Sequence, residues 1–205
     1  RDAFYGCTSL ASMELSDSLR SIEINAFQSC SALESIELPD SLNTIRSYAF
    51  FNCEALTSIS FPAAISRIES GAFMNCYSLQ EVRFEDGPNP LFPSYDSSTN
   101  PEIIFSYCPV RTVYVGRDIE RSPFSDHPSL EHVTFGPQVT AAYGFSGCPA
   151  LTSVEIAEGV TAISESAFWD CPALTSVSLP QSLRSIGLSA FGNCSSLTAI
   201  ELPDN

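Results

Sequence analysis

Eight cysteines, two histidines and a recurrent serine are the side chains here best equipped for chemistry, and their spacing decides which chemistry is open to them. Cys7, Cys30, Cys53, Cys76, Cys108, Cys148, Cys171 and Cys194 each follow a phenylalanine by three residues. Placed so regularly, they read as a structural ladder in which every thiol fills the same small inward slot. Buried free thiols are the preferred reading. Disulfides are an alternative on distance alone, although equivalent side chains that point the same way make poor disulfide geometry. No Cys-x-x-Cys pair occurs, so a zinc site lacks its usual spacing and no metal is expected.

His127 takes the ladder place of a cysteine and precedes Pro128, which favours a structural role. His132 falls at an outward strand position. Glu131 beside it is expected on the opposite face, because neighbouring strand residues alternate. Ser12, Ser35, Ser58, Ser153 and Ser176 recur with the scaffold, whereas a catalytic nucleophile would be singular and have a base near it. There is no phosphate-cradling glycine loop and no nucleophile elbow. Glu37 and Glu155 are repeat copies rather than a local dyad. The chain is therefore read as non-enzymatic and without a cofactor.

The elements that must position these residues follow from a 23-residue period. Phe4, Phe27, Phe50 and Phe73 keep it, and so do Phe145, Phe168 and Phe191; Phe105 and Phe124 lie between with irregular spacing, giving nine rungs. Each unit reads A-F-x-x-C-x-x-L-x-x-I-x-L-P, then L-x-x-I. Ile36 and Leu38 alternate with Glu37, which predicts a strand with the apolar pair inward. Pro39 ends it, since proline cannot donate to a ladder. Ala49 to Cys53 is too short for a full helix and predicts a single helical or 3-10 turn. One unit buries too little apolar surface to offset the ~1–2 kcal/mol per residue of backbone ordering, so the units must stack into a solenoid.

The expected fold is an α/β repeat solenoid: a leucine-rich-repeat arc with a parallel β-sheet on its concave face and short helical or 3-10 connections. It forms one domain over 1–205, with regular repeats at 1–85, a Pro/Ser-rich insertion at 86–103, irregular repeats at 104–144 and regular repeats at 145–205. Both ends present an apolar rung without a polar cap, so the chain is expected to be a fragment of a longer array.

Composition narrows the partners. The net charge is −15, and the nine basic residues are all arginine. No positive footprint for nucleic acid or for an anionic membrane exists, and no apolar run approaches the ~18 residues of a membrane-spanning helix.

The unit exemplified by Ala26 to Tyr48, "AFQSCSALESIELPDSLNTIRSY", resembles the BspA-like, or Treponema-type, leucine-rich repeat over essentially the whole chain. "CPVRTVYVGRDIERSPF" (Cys108 to Phe124), followed by "LEHVTFGPQVT", is similar to a degenerate segment of such proteins. The resemblance implies an extracellular or cell-surface protein, an adhesin among them, that binds a host or neighbouring-cell protein. Glycan binding and a purely structural spacer are the alternatives.

A ligand is expected where the outward strand chemistry changes. The end rungs carry mostly serine and glutamate, whereas Glu81, Arg83, Tyr114 and His132 cluster on three successive rungs. Arginine and tyrosine are types enriched at binding hot spots. The insertion leaves the strand of Arg83 and returns before that of Tyr114, which places it at the rim of the candidate surface, with Phe92 and Tyr95 able to pin it.

Overall fold

The computed structural model of the chain describes residues 1–93, 104–119 and 122–204. In chain order the strands are β1 (Ser21–Ile22), β2 (Thr44–Ile45), β3 (Ser58–Phe61), β4 (Arg67–Ile68), β5 (Glu81–Phe84), β6 (Phe92–Pro93), β7 (Thr112–Val115), β8 (His132–Phe135), β9 (Ala141–Ala142), β10 (Ser153–Ile156), β11 (Ala162–Ile163), β12 (Ser176–Ser178) and β13 (Ser185–Ile186). They build a succession of parallel strands on two sides of a coil. One side is an unbroken six-stranded sheet, β12-β10-β8-β7-β5-β3. The other is β1-β2-β4-β6 followed, after a gap, by β9-β11-β13. The alternation read from sequence is the one observed: in β5, Val82 and Phe84 are buried while Glu81 and Arg83 are exposed.

The third side of the coil carries the phenylalanines. Their nine rings run in one stack from Phe4 to Phe191, with centroids 5.0 to 6.3 Å apart and planes within 20° of parallel. Offset stacking of this kind adds about 0.5–1.5 kcal/mol per pair to the burial itself. The stack passes through Phe105 and Phe124 without a break, so the irregular spacing of the centre is absorbed in the connections.

Those connections correct the sequence expectation of helical or 3-10 turns. Among the described residues there is no helix, and the fold is a parallel β-solenoid rather than an α/β arrangement. The reason is visible around Phe27. Ala26, Gln28 and Cys30 donate back three residues to Glu23, Asn25 and Phe27, but Phe27 and Ser29 donate to Ala49 and Phe51 of the next rung. Alternate amides therefore leave the turn and join rungs together. The corner is also flanked by left-handed residues, Asn25 at φ 56° and Ser29 at φ 60°. A left-handed residue on each side confines the turn to one cycle. The same pairing recurs at Tyr48 and Asn52, Ser166 and Asp170, and Ser189 and Asn193.

Seven of the cysteines are buried beneath these corners. Each donates its thiol to the phenylalanine carbonyl of the preceding rung, at 3.0 to 3.2 Å: Cys53 to Phe27, Cys108 to Phe73, Cys171 to Phe145 and so on. Burial pushes the Cys53 thiol up to about 12. Cys7 departs from the expected ladder, because it is exposed. A thiol reagent should accordingly modify Cys7 rapidly in the native protein, leave the other seven protected, and reach all eight after denaturation. Bridged peptides in a non-reducing mass map would overturn that expectation.

The irregular centre keeps more of the scaffold than its composition implies. Within the 86–103 stretch, Leu91 is buried and its amide bonds Asp118 at 2.8 Å, while Phe92 and Pro93 pair with Arg67 and Ile68 in the second sheet. The remainder, 94–103, including Tyr95, lies outside the described residues, as do Glu120 and Arg121.

Beneath the point where the chain departs after β5, Arg117 caps a run of carbonyls. In two rungs a serine hydroxyl reaches back to a carbonyl of the previous rung, as Ser41 does to Leu19 and Ser182 to Val160. Ala64 and Gly159 bring no hydroxyl in the rungs of Ile65 and Val160, nor does Pro90 before Leu91. Arg117, completely buried, donates to the carbonyls of Ile65 at 3.0 Å, Ala63 at 2.7 Å and Pro62 at 2.6 Å.

Candidate functional site

At the centre of the six-stranded sheet the register sets Glu81 opposite Thr112 and Arg83 opposite Tyr114, then Thr112 opposite His132. Arg83 and Tyr114 are in direct contact: the guanidinium carbon sits 3.7 Å from the centroid of the ring, a cation–π arrangement. Arg83 Nε also donates to Glu85 Oε1 at 2.8 Å, and Ser60 Oγ donates to the same oxygen at 2.8 Å. The Tyr114 hydroxyl donates to Asp86 Oδ1 at 2.8 Å. Ser60, Glu85, Arg83, Tyr114 and Asp86 therefore form one connected network over β3, β5 and β7.

Its electrostatics follow from those bonds. Burial works against the Glu85 charge, but the hydrogen bonds from Arg83 and Ser60 outweigh it and hold its carboxyl below the usual range. Burial, then the bond to Asp86, raises the Tyr114 hydroxyl. The Glu85 bond raises Arg83, which stays charged. Yet the Arg83 side chain remains 45% exposed, so the network orients the guanidinium without covering it.

Glu81 and His132 lie on the same face but one row away, separated by Thr112. His132 Nδ1 is 2.7 Å from Ser153 Oγ, and Glu131 Oε2 approaches Nε2 at 4.0 Å. The alternation that should put Glu131 on the other face begins only with β8 at His132, so its carboxylate swings round. At 4.0 Å it makes no hydrogen bond to the imidazole, and it pairs with Arg111 at 3.2 Å instead. Serine, histidine and carboxylate are thus neighbours without the linked geometry of a hydrolytic triad. Among the described residues no group of three or more His, Cys, Asp or Glu side chains is arranged to hold a metal ion.

Glu85, Asp86 and two glycines were not singled out from sequence. A Cβ on Gly136 would stand 2.4 Å from the Tyr114 hydroxyl and 2.5 Å from Asp86 Oδ1, and one on Gly116 would meet the backbone of Phe84 to Asp86 at 2.5 Å. The bare backbones of β7 and β8 ends make room for the chain leaving β5 to cross the sheet and deliver Asp86 to Tyr114. The legible signal is the residue that follows each strand. Regular rungs place Pro39, Pro62 and Pro180 there, whereas the three central rungs carry Glu85, Gly116 and Gly136.

A family profile described as BspA type leucine rich repeat region matches residues 1–121 and 117–205, in six copies. Among solved structures, a leucine-rich repeat protein from Bacteroides ovatus is 23% identical with a TM-score of 0.46, over 98% of this chain and 63% of its own. A leucine rich cell surface protein from Faecalibacterium prausnitzii is 27% identical with a TM-score of 0.45, over 98% of this chain and 62% of its own. The leucine rich repeat protein of T. pallidum is 28% identical with a TM-score of 0.40, over 96% and 69%. The chain thus spans less than two thirds of the length of the first two. Comparison with curated proteins finds no match.

Proposed function

The chain belongs to the BspA-type leucine-rich repeat family, whose repeats build protein-interaction modules, and we propose that it is a non-enzymatic binding module whose sheet face contacts a host or neighbouring-cell extracellular protein. The observation that carries this reading is the Arg83–Tyr114 pair: an oriented, half-exposed guanidinium stacked on an aromatic ring at 3.7 Å in the middle of the face. Such a pair offers a large contact with little entropy left to lose on binding. Glu81 and His132 flank it as secondary contacts. An extracellular or cell-surface location, and an adhesin role, belong to the same reading and derive from the family resemblance.

The test pairs two double variants. Arg83→Ala with Tyr114→Ala should weaken binding to an extracellular-protein partner, found by array screening with the full chain, by about 2 kcal/mol or more. Its stability should fall by only about 1 kcal/mol, because both side chains stand on the surface. Ser35→Ala with Ser176→Ala should change neither. Equal binding by both doubles at unchanged melting temperature would remove the central face from the function, and capture by a glycan array alone would replace the protein partner.

A further inference from the structure

The geometry points to a carboxylate, carried by an acidic side chain or a free C-terminus of the partner, as the group that docks on the outer edge of Arg83. This deepens the reading of the sheet face as a binding surface and rests on it. Three features of the site carry it. The first is orientation. Glu85 holds Nε at 2.8 Å and Tyr114 covers one face of the guanidinium at 3.7 Å, so the terminal nitrogens are turned to the edge left over. That edge presents two parallel N–H donors, the pattern that matches a carboxylate in bidentate fashion. The second is pairing. Among the described residues Glu85 is the one carboxylate in ion-pair contact with Arg83.

The third is charge. The chain as a whole carries −15, a field that repels anions. At this place, however, Arg83 and Arg117, the latter buried behind the corner, offset two of the three charges of Glu81, Glu85 and Asp86. Glu85 and Asp86 already have donors, from Arg83 and Ser60 in one case and from Tyr114 in the other. A single negative charge therefore meets oriented guanidinium donors on a patch less acidic than the chain as a whole, whereas the surrounding acidic surface disfavours a polyanion. The selectivity expected is for one carboxylate over phosphate or nucleic acid.

The experiment is an NMR titration of the full chain observing the Arg83 Nε–H signal. Probes are capped peptides bearing one Asp or Glu, their Asn or Gln counterparts, and an uncharged peptide with a free C-terminus. Saturable shifts with the carboxylate probes, about tenfold weaker with the amides, are expected. Arg83→Lys keeps the charge but loses the fork, so it should abolish the discrimination while the fold is unchanged. Which carboxylate probe binds more tightly assigns side chain or C-terminus. No saturable shift, an equal response in Arg83→Lys, equal binding of inorganic phosphate, or preference for a lysine peptide would each overturn the inference. If the probes fail while the Arg83/Tyr114 double variant still loses its partner, the ligand chemistry alone is wrong. If the probes bind and the partner ignores the double variant, the surface is wrong and the chemistry stands.

Discussion

Replacing Arg117 by alanine is expected to lower the stability of the protein by about 4 kcal/mol, measured by urea unfolding. The change strips donors from the carbonyls of Pro62, Ala63 and Ile65, which lie 2.6 to 3.0 Å from the guanidinium nitrogens. Each buried carbonyl left without a partner costs about 1–3 kcal/mol, and the emptied volume adds a cavity term. An opposing effect is real. The guanidinium is completely buried, its Nε has no partner, and burial lowers its affinity for the proton. Losing that desolvated charge returns some energy. Arg117→Met separates the two contributions, because it fills the space without donors or charge. A loss of about 3 kcal/mol in Arg117→Met is expected if the carbonyls dominate. A methionine variant as stable as the parent would show that they find other donors, and the staple would be no staple.

The second large effect is a pH dependence centred on His127. Its imidazole is 7% exposed, stacks obliquely on Phe124 at 6.0 Å, and leaves Nδ1 without a partner. Burial lowers it from 6.5 to about 4. The folded protein therefore holds the neutral ring where the unfolded chain would bind a proton. Its contribution to stability is full above pH 6.5 and is lost as the pH falls through the folded value near 4. A difference of that size corresponds to about 3 kcal/mol. His127→Cys restores the ladder residue found in the other rungs, with a thiol placed to reach the Phe105 carbonyl. The stability difference between the variant and the parent should widen by about 3 kcal/mol between pH 7 and pH 4. Parallel stability curves would mean that water or a local opening already accommodates the protonated ring.

The candidate site shows how far the residues themselves reach. Arg83, Tyr114, Glu81 and His132 could be assigned to one face because the side-chain period of a strand is two, and adjacent rungs of a solenoid lie in register. Proximity was a different matter. Only Arg83 and Tyr114 touch; Glu81 and His132 stand one row off, because the Thr112 row intervenes. Asp86 was absorbed into an apparent insertion beginning at 86, and Glu85 was passed over although it continues the outward parity of Glu81 and Arg83.

What the sequence determined by itself is the stacking: a 23-residue period, inward alternation and a phenylalanine–cysteine ladder admit few arrangements other than a parallel coil. Each of those features is local and repeated, so the physics of one rung holds for its neighbours. The tertiary structure decided what depends on unlike rungs meeting. It replaced the expected single helical or 3-10 turns with non-helical corners, because alternate amides find better-placed carbonyls on the next rung. It brought Arg117 back across two rungs to the carbonyls of Pro62, Ala63 and Ile65, and Asp86 over Gly116 and Gly136 to Tyr114. Contacts 28 and 52 residues apart arise only once the irregular centre has been threaded into the coil, and no period in the chain encodes them.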